Sequence, residues 1–251
     1  MIKLYTWPTP NGYKVAIFLR ESQTSYEAIG VNISKGEQFQ PEFLKLNPNN
    51  KIPALFDDAP SFGKASVALF ESGCILEYLA DKTGRFLAPL GTPERYETLQ
   101  WLYWQMAGLG PMLGQNHHFS SYAPEKIPYA IDRYLNETKR LYTVLDHRLE
   151  SSPYVSGKDY GIADMATYPW IVSHDKQGQK LEDYPHLKKW FDAIQTRPAV
   201  QAAYAEGSRL RGENGATVSD SSPQEKLKKT NPGKALSLFP GASCSDAHAE
   251  R

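Results

Sequence analysis

Glu71 and Ser72, in the stretch FESG at 70–73, put a carboxylate beside a hydroxyl where an apolar run gives way to a helical pattern. A helix N-terminus offers free N–H groups, and with the Ser72 hydroxyl these suit a carboxylate, while Glu71 can pair with an ammonium. Together they match the head group of an amino acid, although a serine before a helix is by itself an ordinary N-cap. Upstream, NPNNKIPALF at 47–56 sets Pro53 at the entry to a strand. A proline there withholds a ladder hydrogen bond, and the sequence predicts a cis Ile52-Pro53 bond. Such a turn leaves the Ile52 N–H and C=O unpaired and able to hold an extended, peptide-like ligand by strand-like pairing. A third stretch, TWPTPNGY at 6–13, is either a connector between a strand and a helix or a place where a ligand meets the chain.

Other residues that could carry chemistry have blander readings. Cys74 and Cys244 lie far apart and form no Cys-x-x-Cys, so neither a disulfide framework nor a dithiol redox pair is implied, and thiol chemistry must borrow its thiol. Cys74 falls in the first turn of a helix and reads as a small buried core residue. His117 and His118 read as adjacent residues on a loop that point different ways without a third ligand, so no metal is expected. Tyr5 reads as a buried strand ring, and the row Trp101, Tyr103, Trp104 mostly as core.

The elements that must position these residues follow from hydrophobic spacing. IKLYT reads as a strand, Tyr13 to Glu21 as a helix with Val15, Phe18 and Leu19 on one face, and YEAIGVNI as a second strand. A short helix near Pro41 to Leu44, the strands IPALF and VALF, and a helix from Ser72 to Lys82 capped by Gly84 complete a β-α-β-α-β-β-α order over residues 1–88, a small α/β domain. Beyond a Pro/Gly-marked linker at 88–93, apolar residues recur every three to four positions, so residues 94–206 read as four or five packed helices. From Gly207 to Arg251 small, polar and charged residues dominate, and this stretch reads as a mostly disordered tail.

Composition narrows the function. A chain of 251 residues, 41% hydrophobic, can bury a sizeable core. Lys plus Arg balance Asp plus Glu at 28 each, which supplies no basic field for phosphate backbones and argues against nucleic-acid partners. MIKLYTWPTP lacks the apolar core of a signal peptide and no run approaches membrane-spanning length, so a cytoplasmic protein with no membrane partner is expected.

The α/β order with an Ile-Pro strand start and a Glu-Ser helix start, followed by an all-helical region, resembles the cytosolic glutathione transferases over roughly residues 1 to 205. TPNGYK, GEQF, NPNNKIPA, FESG and GLGPMLGQNHHF with PYAIDRY after it resemble the nu class, whose members are glutathione-dependent disulfide-bond oxidoreductases. The resemblance implies a thioredoxin-like N-terminal domain, an all-α C-terminal domain, a homodimer, and glutathione as co-substrate, with two molecules per site. It implies that Glu71 and Ser72 hold the γ-glutamyl head, Ile52 and Pro53 the cysteinyl backbone, and Gln38 with Lys51 the glycyl end. Thr9 and Asn11 match the residues that meet the sulfur in that class, with Tyr13 as an alternative, and Arg133 matches the arginine that meets a carboxylate of the second glutathione. Conjugation of electrophiles, or glutathione binding without turnover, are the rival activities. One departure stands out: the helical domain usually opens a helix with Ser/Thr-x-x-Asp, and here Gly161 takes the first place, with Asp164 left to reach back to a backbone N–H.

Overall fold

The computed structural model describes residues 1–63 and 65–212. Its first part runs β1 (Ile2–Thr6), α1 (Pro10–Glu21), β2 (Tyr26–Gly30), α2 (Pro41–Leu44), β3 (Ala54–Asp57), β4 (Val67–Phe70) and α3 (Ser72–Thr83), the order read from hydrophobic spacing. The sheet is ordered β2-β1-β3-β4, with β1 parallel to β2 and the other pairs antiparallel. This is a thioredoxin-like mixed sheet. Its register fixes where the site can be: Tyr5 pairs with Ala54, and Ala54 pairs with Phe70. The end of β1, the start of β3 and the end of β4 therefore lie side by side. The loops that carry Thr9 and Asn11, Ile52 and Pro53, and Glu71 and Ser72 all leave the sheet at that one edge.

Helix α1 starts cleanly because Thr9, in extended backbone, accepts from the Gly12 N–H and Pro10 occupies a first-turn position that needs no donor. The expected face of Val15, Phe18 and Leu19 is buried, and so are Lys14, Ala16 and Ile17. The helix is enclosed on every side because the helical region packs onto the face that the sheet does not cover. One apolar cluster runs from Leu4, Val15 and Leu76 through to Met165, Tyr168 and Ile194, so both parts of the chain share a core. A second, smaller cluster of Val31, Phe43 and Ala54, joined by Tyr5 and Ile52, supports the loop before β3.

The helical region comprises α4 (Pro93–Trp104), α5 (Gly110–His117), α6 (Pro128–Ser151), α7 (Ile162–Ile171), α8 (Pro185–Gln195) and α9 (Pro198–Arg211). Two features differ from expectation. The GLGPMLGQNHHF stretch is helical throughout, with π-helical turns at Gln105–Leu109 and His118–Tyr122, so the two histidines sit in helix rather than loop. Pro111 cannot donate to a carbonyl in the preceding turn, and the π turn, in which the Gly110 N–H reaches back to Gln105, takes up the mismatch. Ordered helix also continues to Arg211, past Gly207, because Ala203, Tyr204 and Gly207 pack inward. The expected tail from residue 213 onward lies outside the described residues. No helix among the described residues is long and apolar enough to cross a membrane.

Candidate functional site

The loop after β1 and the first turn of α1 carry two side-chain donors, Thr9 and Asn11. The Thr9 N–H donates to the Trp7 carbonyl at 2.7 Å, and Thr9 Oγ1 accepts from the Gly12 N–H at 3.3 Å. With its oxygen engaged as an acceptor, the Thr9 hydroxyl keeps its proton to give. Asn11 is half-buried at the start of α1, and its Oδ1 accepts from the Trp170 indole Nε1–H of α7 at 3.1 Å. That bond leaves the Nδ2 donors of Asn11 for another partner. Gly12 is required for this turn: a Cβ there would lie 2.2 Å from the Trp7 carbonyl oxygen and 2.6 Å from Thr6 Oγ1. Tyr13 is committed to α9, where its ring stacks on Tyr204 at 3.9 Å between centroids. Tyr5 lies edge-on to Phe43 in the strand, as a structural ring.

Across the sheet edge, the Ile52-Pro53 bond is cis, as expected. No backbone hydrogen bond among the described residues engages the Ile52 N–H or C=O. The preceding loop is organised by Asn47, buried, whose Nδ2 donates to the Lys51 carbonyl at 2.6 Å and whose Oδ1 accepts from the Asn49 N–H at 2.9 Å. The Lys51 side chain is exposed above it. Gln38, in a short 3-10 turn at Glu37–Phe39, has a buried Oε1 with no hydrogen-bond partner among the described residues.

At the third stretch the cap differs from expectation. Glu71, not Ser72, is the N-cap of α3, and it sits at φ 68°, a left-handed backbone that a glutamate adopts at a cost of about 1–2 kcal/mol. Its side chain is exposed at the helix N-terminus. Ser72 is the first helical residue and is buried at 6% exposure. Beneath it lies a group that sequence reasoning missed: Lys14, 2% exposed, whose Nζ donates to Gln105 Oε1 at 2.7 Å and lies 3.5 Å from Ser72 Oγ and 3.9 Å from Met106 Sδ. Burial drives the Lys14 ammonium well below the ordinary lysine range, and the nearby Glu71 carboxylate opposes that only in part. A signal existed, since Lys14 interrupts an apolar run that is otherwise buried. Trp170 had none, because its partner is remote in sequence.

Arg133 lies exposed on α6, and no hydrogen bond or ion pair given among the described residues joins it to the loop residues. Cys74 corrects an expectation: it is exposed rather than buried, because Gly73, Ile75, Leu76 and Leu79 take the inner face of α3. Partial burial and the carboxylates of Glu77 and Glu71 push its thiol up, away from reactivity. Among the aromatic row, Tyr103 is 54% exposed, while Trp101 and Trp104 pack edge-to-face. Among the described residues no group of three or more His, Cys, Asp or Glu could hold a metal ion.

The arrangement brings to one end of the strands an exposed Glu71 carboxylate, the N–H groups at the start of α3, the backbone groups of Ile52 and the side-chain donors of Thr9 and Asn11. Comparison with known proteins gives concordant results. The glutathione S-transferase N-terminal domain matches residues 1–81, and the glutathione S-transferase C-terminal domain matches residues 112–198. The chain is 52% identical over 221 residues to the disulfide-bond oxidoreductase YfcG of Escherichia coli, covering 88% of this chain and 100% of that protein. It is similar, at 43% identity and a TM-score of 0.76, to a glutathione transferase family member from Pseudomonas fluorescens with two glutathiones bound, covering 81% of this chain and 92% of that one. A glutathione transferase from Pseudomonas putida, with one glutathione disulfide bound per subunit, matches at 40% identity and a TM-score of 0.75, over 81% and 90% of the two chains.

Proposed function

The chain belongs to the glutathione S-transferase family, and from that premise we propose that it is a nu-class, glutathione-dependent disulfide-bond reductase that works with two glutathiones. The observation that carries this reading is the register line Tyr5, Ala54, Phe70, which draws the three loops to one sheet edge. Along that edge, Glu71 takes the ammonium of the γ-glutamyl group, and Ser72 with the first N–H groups of α3 takes its carboxylate. Ile52, placed by Pro53, pairs with the cysteinyl backbone in strand fashion. At the glycyl end, the buried Oε1 of Gln38 matches a ligand N–H and Lys51 a carboxylate.

The sulfur then lies over Thr9 and Asn11 at the N-terminus of α1. Two donors and the positive end of the helix favour thiolate over thiol. In the first exchange this thiolate attacks a substrate disulfide, forming a glutathione mixed disulfide and expelling one substrate thiolate. A second glutathione thiolate attacks the mixed disulfide, forming glutathione disulfide and expelling the other substrate sulfur. The two protons lost from glutathione end on the two product thiols, so one disulfide is reduced as one is formed. The loop at 6–13 holds no cysteine, so both attacking thiolates come from glutathione, in keeping with an exposed Cys74 whose thiol is pushed up. Arg133 meets a carboxylate of the second glutathione. Arg133→Ala should weaken glutathione disulfide more than glutathione in calorimetric titration, and equal losses would remove it from the site.

Spectroscopic titration of the bound thiol tests the assignment of the donors. Losing one hydrogen bond to a charged sulfur costs about 1.5–3 kcal/mol, so Asn11→Ala should raise the bound thiol pKa by about one to two units. An unchanged pKa would take Asn11 out of the reaction. The reading also pairs two chains through the outer faces of α3 and α4, where Tyr96 and Tyr103 of α4 are exposed and Arg95 bonds to Glu77 and Asp81 of α3. Sedimentation at twice the chain mass is expected, and a monomer would contradict it. A pool of reduced glutathione places this chemistry in the cytoplasm.

A further inference from the structure

An indole N–H is a donor and cannot accept, so the Asn11 atom that faces Trp170 Nε1 at 3.1 Å must be the amide oxygen, which fixes which way the amide points. Without that bond the amide could turn by half a revolution and present its oxygen to a thiolate, a repulsive contact in place of a donor. Trp170 itself is held from two directions. Its ring packs on α5 against Gly110 and Gly114, one turn apart: a Cβ at Gly110 would stand 3.3 Å from Trp170 Cε2, a tight contact, and one at Gly114 3.5 Å from Cη2, an ordinary one. Its carbonyl accepts from Gln177 Nε2 at 2.8 Å, and Gln177 is locked in turn, with Oε1 accepting from Tyr142 Oη at 2.6 Å and its carbonyl accepting from Asn116 Nδ2 at 3.0 Å. Asn116 also donates to Thr138 Oγ1 at 2.9 Å, and Gln177, Tyr142, Thr138 and Asn116 are all buried at 2% exposure or less. Such a fully engaged polar network rigidifies what it holds.

We propose that Trp170 is a positioning residue of the reaction: by accepting no bond and giving one to Asn11, it holds the Asn11 amide with its N–H groups toward the sulfur of bound glutathione. This rests on the reading of Asn11 as a sulfur donor. It also assigns a task to the GLGPMLG stretch, in which Gly110 and Gly114 lie against the indole of a different helix.

The test is a double-mutant cycle read by the pKa of the bound glutathione thiol, with the pH profile of disulfide reduction alongside. Trp170→Phe keeps the ring and deletes the N–H. Its bound thiol should titrate higher, by about half a unit to one unit, roughly half the effect of losing one charge-assisted hydrogen bond. At neutral pH, kcat should fall about three- to tenfold with KM for glutathione little changed. On the Asn11→Ala background, Trp170→Phe should move the thiol no further. If Asn11→Ala raises the thiol pKa and Trp170→Phe does not, the positioning role is overturned and the Asn11 donor stands. If Asn11→Ala leaves the thiol unmoved, the donor assignment fails, and the Trp170 role fails with it. Should Trp170→Phe not fold, the indole N–H resonance of the unaltered protein carries the test: with glutathione bound it should shift with the same pKa as the thiol, and a resonance blind to that titration contradicts the proposal.

Discussion

Lys14 shows what a single buried residue costs and what it could be for. Its amine sits among Gln105 Oε1, Ser72 Oγ and Met106 Sδ at the junction of α1, α3 and the first π turn. Because burial holds its pKa well below that of an unfolded lysine, the unfolded chain binds the extra proton between the two values. Stability therefore rises with pH across that window, and the penalty is fully present below the folded pKa. Lys14→Met removes the titration, so denaturant unfolding at neutral and at alkaline pH should show the original chain gaining stability relative to the variant as pH rises. A gap between the two that does not change with pH would mean that Lys14 is charged in the fold with its cost fully met. At this scale the sequence was partly legible. Glu71, Ser72 and Ile52 stand out as candidates by type and local setting and Asn11 only through the family resemblance, whereas the cap shift to Glu71 depends on a left-handed φ that no side chain announces.

Elements were easier to read than the joints between them. Apolar periodicity marks each strand and the helices α1, α3 and α6, but GLGPMLGQNHHF mixes glycine, proline and polar residues and resists that logic until its π turns are seen. The start of α7 is the sharper case. Asp164 does reach back to the Gly161 N–H, at 3.0 Å, as half of the expected capping pair. The hydroxyl that Gly161 lacks is supplied by Ser156, whose Oγ accepts from the Ala163 N–H at 3.2 Å. A Cβ at Gly161 would then stand 2.7 Å from Ser156 Oγ and 2.8 Å from the Phe86 carbonyl oxygen. Restoring the family residue with Gly161→Ser should therefore destabilise the protein, by about 1–3 kcal/mol for a forced overlap with backbone. A higher denaturation midpoint for Gly161→Ser would show that the loop at Ser156 yields and that the cap is worth more than the overlap.

The whole molecule joins a sheet edge to a helical wall through one core, and that is where sequence reasoning reaches least. The α/β order and the helical follow-on are written in hydrophobic spacing, and the family resemblance is carried by short motifs. The contact between Asn11 and Trp170 links residues far apart in the chain, and only the packing of α1 against α7 reveals it. Cys74 makes the same point in reverse: helix phase, not residue type, decides that it faces outward. What the assembled site does is best measured by placing two activities side by side on the same preparation: reduction of hydroxyethyl disulfide by glutathione, and conjugation of chloro-dinitrobenzene to glutathione. Disulfide reduction should dominate, and Asn11→Ala should lower it by about tenfold or more, as expected for losing a charge-assisted hydrogen bond to the reacting sulfur. Conjugation far exceeding reduction, or glutathione bound with neither reaction turning over, would contradict the account.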